Sequence, residues 1–132
     1  MIKEVFLWFE KHHVVSLVIT LLIASFIFYM SSKSFEKGTL VEFPYKSIVY
    51  HFIIFFTFAF FISISIIKGK KQNNYWIFIA VLIALAYAIT DEIHQLFVPN
   101  RFCDVKDFLI DSTGIILAGM IYGVRMSFTP KH

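Results

Sequence analysis

The sequence predicts an all-α polytopic membrane protein, a bundle of four transmembrane helices with a short N-terminal interfacial helix. Three observations predict it. Apolar residues fill 58% of the 132 positions and only 16% are charged, too little charge to coat a soluble domain of this size. Three runs without Asp, Glu, Lys or Arg are 19, 21 and 19 residues long; about 20 helical residues cross a hydrocarbon core of roughly 30 Å. The 12 basic residues lie scattered between apolar runs, where they read as loop charges. The same composition excludes intrinsic disorder, and the absence of a basic patch excludes nucleic acid as a partner.

Each element follows in order. Positions 1–13 mix Lys3, Glu4, Glu10 and Lys11 with Phe6, Trp8 and Phe9, a pattern suited to a helix lying at the interface. The first span is expected over approximately 13–32, around the 19 uncharged residues from Val14 to Ser32. That run is longer than a signal-peptide core and Ser31-Ser32-Lys33 offers no small-x-small cleavage site, so the segment is expected to stay. The second span is expected over 47–67. The third covers 74–96, where Pro99 stops the helix soon after. The fourth has only 13 uncharged residues, Ser112 to Val124, and must reach back to about Val105 to cross. Its span is therefore 105–126, with Asp107 and Asp111 inside it. Residues 1–132 form a single domain on this reading. The lone cysteine, Cys103, excludes an intrachain disulfide and a cysteine-based zinc site.

Orientation follows from the basic residues. Lys3, Lys11, Lys68, Lys70, Lys71, Arg125 and Lys131 fall on one face, and Lys33, Lys37, Lys46, Arg101 and Lys106 on the other. The lysine cluster in the short 68–71 loop favours a bacterial cell membrane topology with both termini cytoplasmic. Most acids then lie on the outer side, and the concentrated polar chemistry faces outward.

That chemistry sits between the third and fourth spans. At 100° per residue, Asp91, Glu92, His94 and Gln95 share an arc of about 160°, a face that cannot point at lipid. Arg101 occupies the short connection. On the fourth span Asp104, Asp107, Asp111, Gly114 and Ala118 form one stripe at helical spacing, with small residues that permit close helix approach. Asp104 and Asp107 also suit simple helix capping. Asp111 lies deeper, where an unpaired charge costs about 2.5–3.5 kcal/mol, and Arg101, Lys106 and His51 are its candidate partners. His51 sits about a turn into the second span with Phe55 on the same face; a histidine satisfied by a backbone carbonyl is the plainer alternative.

These residues resemble the VanZ-like family, small bacterial membrane proteins associated with teicoplanin resistance. The resemblance rests on Asp91-Glu92-Ile93-His94-Gln95-Leu96-Phe97-Val98-Pro99, then Arg101, then Asp107 and Asp111-Ser112-Thr113-Gly114. Phe28-Tyr29-Met30-Ser31-Ser32 and His51 with Phe55 support it. The chain departs from the family pattern at Asn100, where glycine is usual, at Lys33, where glutamine often follows the serines, and at Ala118, where a second glycine is common. Lys46 also lies further from His51 than usual. The resemblance implies reduced susceptibility to teicoplanin-type glycopeptides without enzymes that remodel peptidoglycan termini.

Two functional classes compete. In the first, His51, Glu92, Gln95, Arg101, Asp107 and Asp111 line an outward pocket that binds an amphipathic or lipid-linked ligand, with Arg101 clamping a phosphate or carboxylate. Its expected partners are membrane lipids and a lipid-linked cell-wall precursor or lipoglycopeptide. No cofactor and no resident metal is expected in this reading. In the second, the chain is an intramembrane enzyme acting on a lipid-linked phosphate through Glu92, His94, Asp107 and Asp111, with Glu92 or His94 as base and the two aspartates holding a divalent cation. A proton-coupled transporter lacks intramembrane acids in the cytoplasmic half, and a purely structural ion-pair network is the remaining alternative.

Overall fold

A computed structural model describes residues 2–34, 44–67 and 74–128. Among them run five helices: α1 (Ile2–Lys11), α2 (His13–Ser31), α3 (Pro44–Ile67), α4 (Tyr75–Gln95) and α5 (Val105–Ser127). The last four are long and apolar enough to cross a membrane. Their bounds fall within three residues of the spans expected from the sequence. The lysine cluster of the 68–71 loop, Glu36, Lys37, Glu42 and Lys131 lie outside the described residues, as does the side chain of Lys46.

Pro44 opens α3, where a missing N–H leaves no bond unmade. Helix α3 is the hub: it touches α1, α2, α4 and α5, and α5 most closely. In lipid no hydrophobic force drives helices together, so association depends on close packing and interhelical hydrogen bonds. Both are present. Gly114 of α5 sits against the backbone of Phe52 and Phe56 of α3, so near that a methyl group would come within 2.6 Å of the Phe52 carbonyl oxygen. On α4, Ala80, Ala84 and Ala88 recur every fourth position and are fully buried, a smooth seam that receives Phe55 and Phe58 of α3. Tyr87 stacks near Phe58 and donates its hydroxyl to the Ala24 carbonyl of α2 at 2.6 Å. Thr20 and Ser65 join α2 to α3 at 3.5 Å.

The opposite faces are apolar and open. Leu21, Leu22, Phe78, Leu109, Met120 and Val124 all point outward, as helices bathed in lipid require. At one end of the bundle lie the end of α2, the start of α3, the end of α4 and the start of α5. At the other end α1 folds across the base, and Ile64, Ile67 and Tyr122 form a second small core with Phe6 and Phe9.

Candidate functional site

The site forms where the polar ends of α3, α4 and α5 converge. Helix α4 closes with three successive bonds of the tighter i to i−3 kind, from Leu96, Phe97 and Val98. A turn follows in which the Arg101 amide donates to the Val98 carbonyl at 3.2 Å. Pro99 fixes its second position, and Asn100 adopts φ 62° at its third, the left-handed conformation a type II turn demands there. Asparagine tolerates that region better than most side-chain-bearing residues. Asp104 then caps α5, its carboxylate accepting the Lys106 amide at 2.9 Å.

Turn and cap are tied back to α4, because Glu92 Oε2 accepts the Asp104 amide at 3.0 Å. Asp111 lies six residues into α5, about 9 Å along the axis, and is completely buried. Its partner is His51: the imidazole Nδ1 lies 3.0 Å from Asp111 Oδ1, a bond in which the ring donates when the carboxylate is ionised. The other ring nitrogen faces Asp107 Oδ2 at 3.8 Å, an ionic rather than a hydrogen-bonding distance. Gln95 donates to Asp91 Oδ2 at 3.3 Å. Arg101 is half-buried beside the cluster and interacts electrostatically with Asp91 and with Tyr50.

Of the residues singled out from the sequence, His51, Glu92, Asp107 and Asp111 come together. Asp91 and Gln95 pair on the adjoining part of α4, and Asp104 takes the capping role weighed for it. His94 goes elsewhere. Its ring stacks on Phe28 with centroids 4.6 Å apart, and its Nε2 lies 3.0 Å from Ser32 Oγ, so it faces α2. It stood at one edge of the polar arc, and the arc is wide enough to address two neighbouring helices at once. Lys106 does not reach Asp111; its amide serves the cap.

Two features escaped sequence reasoning. Tyr50 places its ring edge-on to His51 at 5.5 Å, with a buried hydroxyl beside the same acids. Its one signal was adjacency to His51. At the far end of the bundle, Glu10 is buried and binds Arg125 through both oxygens, the Nη2 to Oε2 contact being 3.2 Å, while the Tyr122 hydroxyl donates to Oε1 at 2.9 Å. No local pattern links positions so far apart in sequence.

Beside the polar cluster runs an open apolar groove of about 330 Å³ between α3 and α5, lined by Ile48, Val49, Phe52, Ile53, Ile110 and Thr113. Phe52 and Ile110 are the chain neighbours of His51 and Asp111.

Four spanning helices with acids, a histidine and an arginine gathered at one end define a multi-pass membrane protein built around a terminal polar cluster. The chain belongs to the VanZ/LLP1 family, whose family model matches residues 15–126. That stretch contains every residue of the cluster. Neither a curated protein nor a solved structure matches the chain significantly.

Proposed function

We propose that the chain is an envelope-facing binding protein of the bacterial cell membrane, with the polar cluster taking the head of an amphipathic or lipid-linked ligand. The observation that carries this reading is the juxtaposition of two environments at the same end of the bundle. The acids, His51 and Arg101 offer a polar cluster, and the groove that borders it at Phe52 and Ile110 offers a bed for an acyl or isoprenoid chain. Arg101 suits a phosphate or carboxylate in a two-pronged contact, and the carboxylates suit hydroxyl or ammonium donors. A lipid-linked cell-wall precursor or a lipoglycopeptide combines these groups, and sequestering either would lower susceptibility to teicoplanin-type antibiotics.

The test pairs activity with abundance. Expressed in a susceptible bacterium, the chain should raise teicoplanin tolerance, and Glu92→Gln or Arg101→Lys should abolish the effect at unchanged protein level. In lipid nanodiscs the same variants should lose binding of an isoprenyl phosphate or of teicoplanin. Unchanged binding and tolerance in both variants would remove the pocket. Loss of the protein itself from the membrane would assign the residues to a structural network instead.

An intramembrane enzyme acting on a lipid-linked phosphate is the second reading. The buried hydrogen bond from His51 to Asp111 favours it, because a carboxylate that orients an imidazole makes a competent general base. Release of inorganic phosphate from an isoprenyl phosphate by the purified chain, lost in His51→Gln, separates it from simple binding.

A further inference from the structure

Two carboxylate oxygens of the cluster lack a partner, as does the Tyr50 hydroxyl beside them. Glu92 Oε1 and Asp111 Oδ2 are buried, and no hydrogen-bond donor reaches either. A buried carboxylate oxygen left in this state is costly, and something must compensate it. The same two residues, together with His51, each offer one ligand atom, and the three atoms lie within 4.8 Å of one another. Glu92, His51 and Asp111 retain only 4%, 5% and 0% of their exposure.

The geometry points to a divalent transition-metal site formed by His51, Glu92 and Asp111. His51 Nδ1 and Asp111 Oδ1 stand 3.0 Å apart as a hydrogen-bonded pair; with the ring proton displaced by an ion, that spacing is also the one adjacent donors take at bonds of about 2.1 Å, and Oδ2 stays within reach. One neutral imidazole and two carboxylates balance a dication, which removes the charge that burial penalises. The donor set also selects among ions. One nitrogen with two carboxylates suits Zn²⁺ or Mn²⁺, whereas Ca²⁺ takes six to eight oxygens.

The surrounding contacts fit this assignment. Glu92 keeps one oxygen on the Asp104 amide, which fixes the carboxylate and leaves Oε1 to bind. With Nδ1 on the ion, the Nε2 proton of His51 turns to Asp107 Oδ2, now 3.8 Å away, and Asp107 orients the ring as carboxylates do behind metal-bound histidines. Three ligands drawn from α3, α4 and α5 leave coordination positions open. The inference deepens the binding reading and rests on it for what fills those positions, the oxygens of a phosphate or hydroxyl head.

The experiment uses the full chain carrying Cys103→Ser, which removes the exposed thiol, without an affinity tag, in detergent and stripped with a chelator. Zn²⁺ and Mn²⁺ should each titrate to one ion per chain, at least tenfold tighter than Ca²⁺. The Mn²⁺-loaded protein should show electron-spin coupling to one imidazole nitrogen, a readout that requires no site variant. Glu92→Gln should weaken the ion at least tenfold, with near-normal circular dichroism confirming the fold. Absence of saturable binding, absence of nitrogen coupling, or an unchanged affinity in folded Glu92→Gln overturns the site. Isoprenyl phosphate binding that persists undiminished in chelator overturns coordination of the head group by the ion while sparing the pocket. Stoichiometric metal binding with no affinity for isoprenyl phosphate or teicoplanin supports the metal site and removes the binding reading instead.

Discussion

At Gly114 an added methyl would meet backbone, the Phe52 carbonyl oxygen at 2.6 Å and the Phe56 nitrogen at 3.2 Å, and neither can move without the helix. Gly114→Ala should therefore push α3 and α5 apart at a cost of about 1–3 kcal/mol. At Gly119 a methyl would also come within 2.6 Å of a neighbour, but that neighbour is Val81 Cγ2, a side-chain methyl rather than backbone, so less has to move. Thermal unfolding in detergent should show Gly114→Ala melting clearly below Gly119→Ala; equal shifts would mean that the close contact does not bear on stability. A second prediction concerns Cys103, outside the spans. Partial desolvation and the carboxylates of Glu92 and Asp104 push its thiol up. A raised thiol holds less thiolate at a given pH, so maleimide labelling should be slow at pH 8 and accelerate above it. Glu92→Gln should quicken the pH 8 reaction, and an unchanged rate would show that the carboxylate does not act on the thiol. At this scale the sequence was partly legible. Burial of Asp111 followed from its depth, but His51, Arg101 and Lys106 were equal candidates, because helical spacing reports direction around one axis and not which neighbour stands there.

The elements were more legible than their contacts. Runs without charge mark the spans directly, since each charge inside lipid is penalised, and Pro99 and Asp104 announce where one helix stops and the next starts. Nothing local announces what α1 does. Its Glu10 binds Arg125 and Tyr122 of α5, and the Arg125 guanidinium lies 3.6 Å from the Phe6 ring centroid. Helix α1 is thus clamped across the base of the bundle by polar contacts as well as by Phe6 and Phe9. Removing one partner should loosen it. Because Arg125 keeps 22% of its side-chain exposure, the loss should be about 1–2 kcal/mol rather than the roughly 3–5 kcal/mol of a fully buried pair. Glu10→Gln should then raise trypsin cleavage at Lys11 by about tenfold, while Glu10→Gln with Arg125→Gln should open less than Glu10→Gln alone. Cleavage indifferent to Glu10 would show that aromatic packing alone holds α1.

For the molecule as a whole, the orientation proposed from the basic residues places the end with His51 and Asp111 outside and the Glu10 clamp inside. In a Cys103→Ser background, a cysteine at position 37 should react with an impermeant reagent added to intact cells, and one at position 70 should not. The reverse pattern would turn the site toward the cytoplasm. The two polar ends have a further consequence through what separates them. Between His51 with Asp111 at one end and Glu10 with Arg125 at the other, the four spans carry no Asp, Glu, Lys, Arg or His from Val14 to Ser32, Phe52 to Ile67, Tyr75 to Thr90 and Ser112 to Val124. The interior there is built on Phe55, Phe58, Ala59, Ala84, Ala88 and Ile115, and its buried hydroxyls, Thr20, Ser63 and Ser65, bond to helix carbonyls. Electrically this middle is an insulator with a terminal at each end: a charge held by Asp111 is parted from one held by Glu10 or Arg125 by spans that carry none.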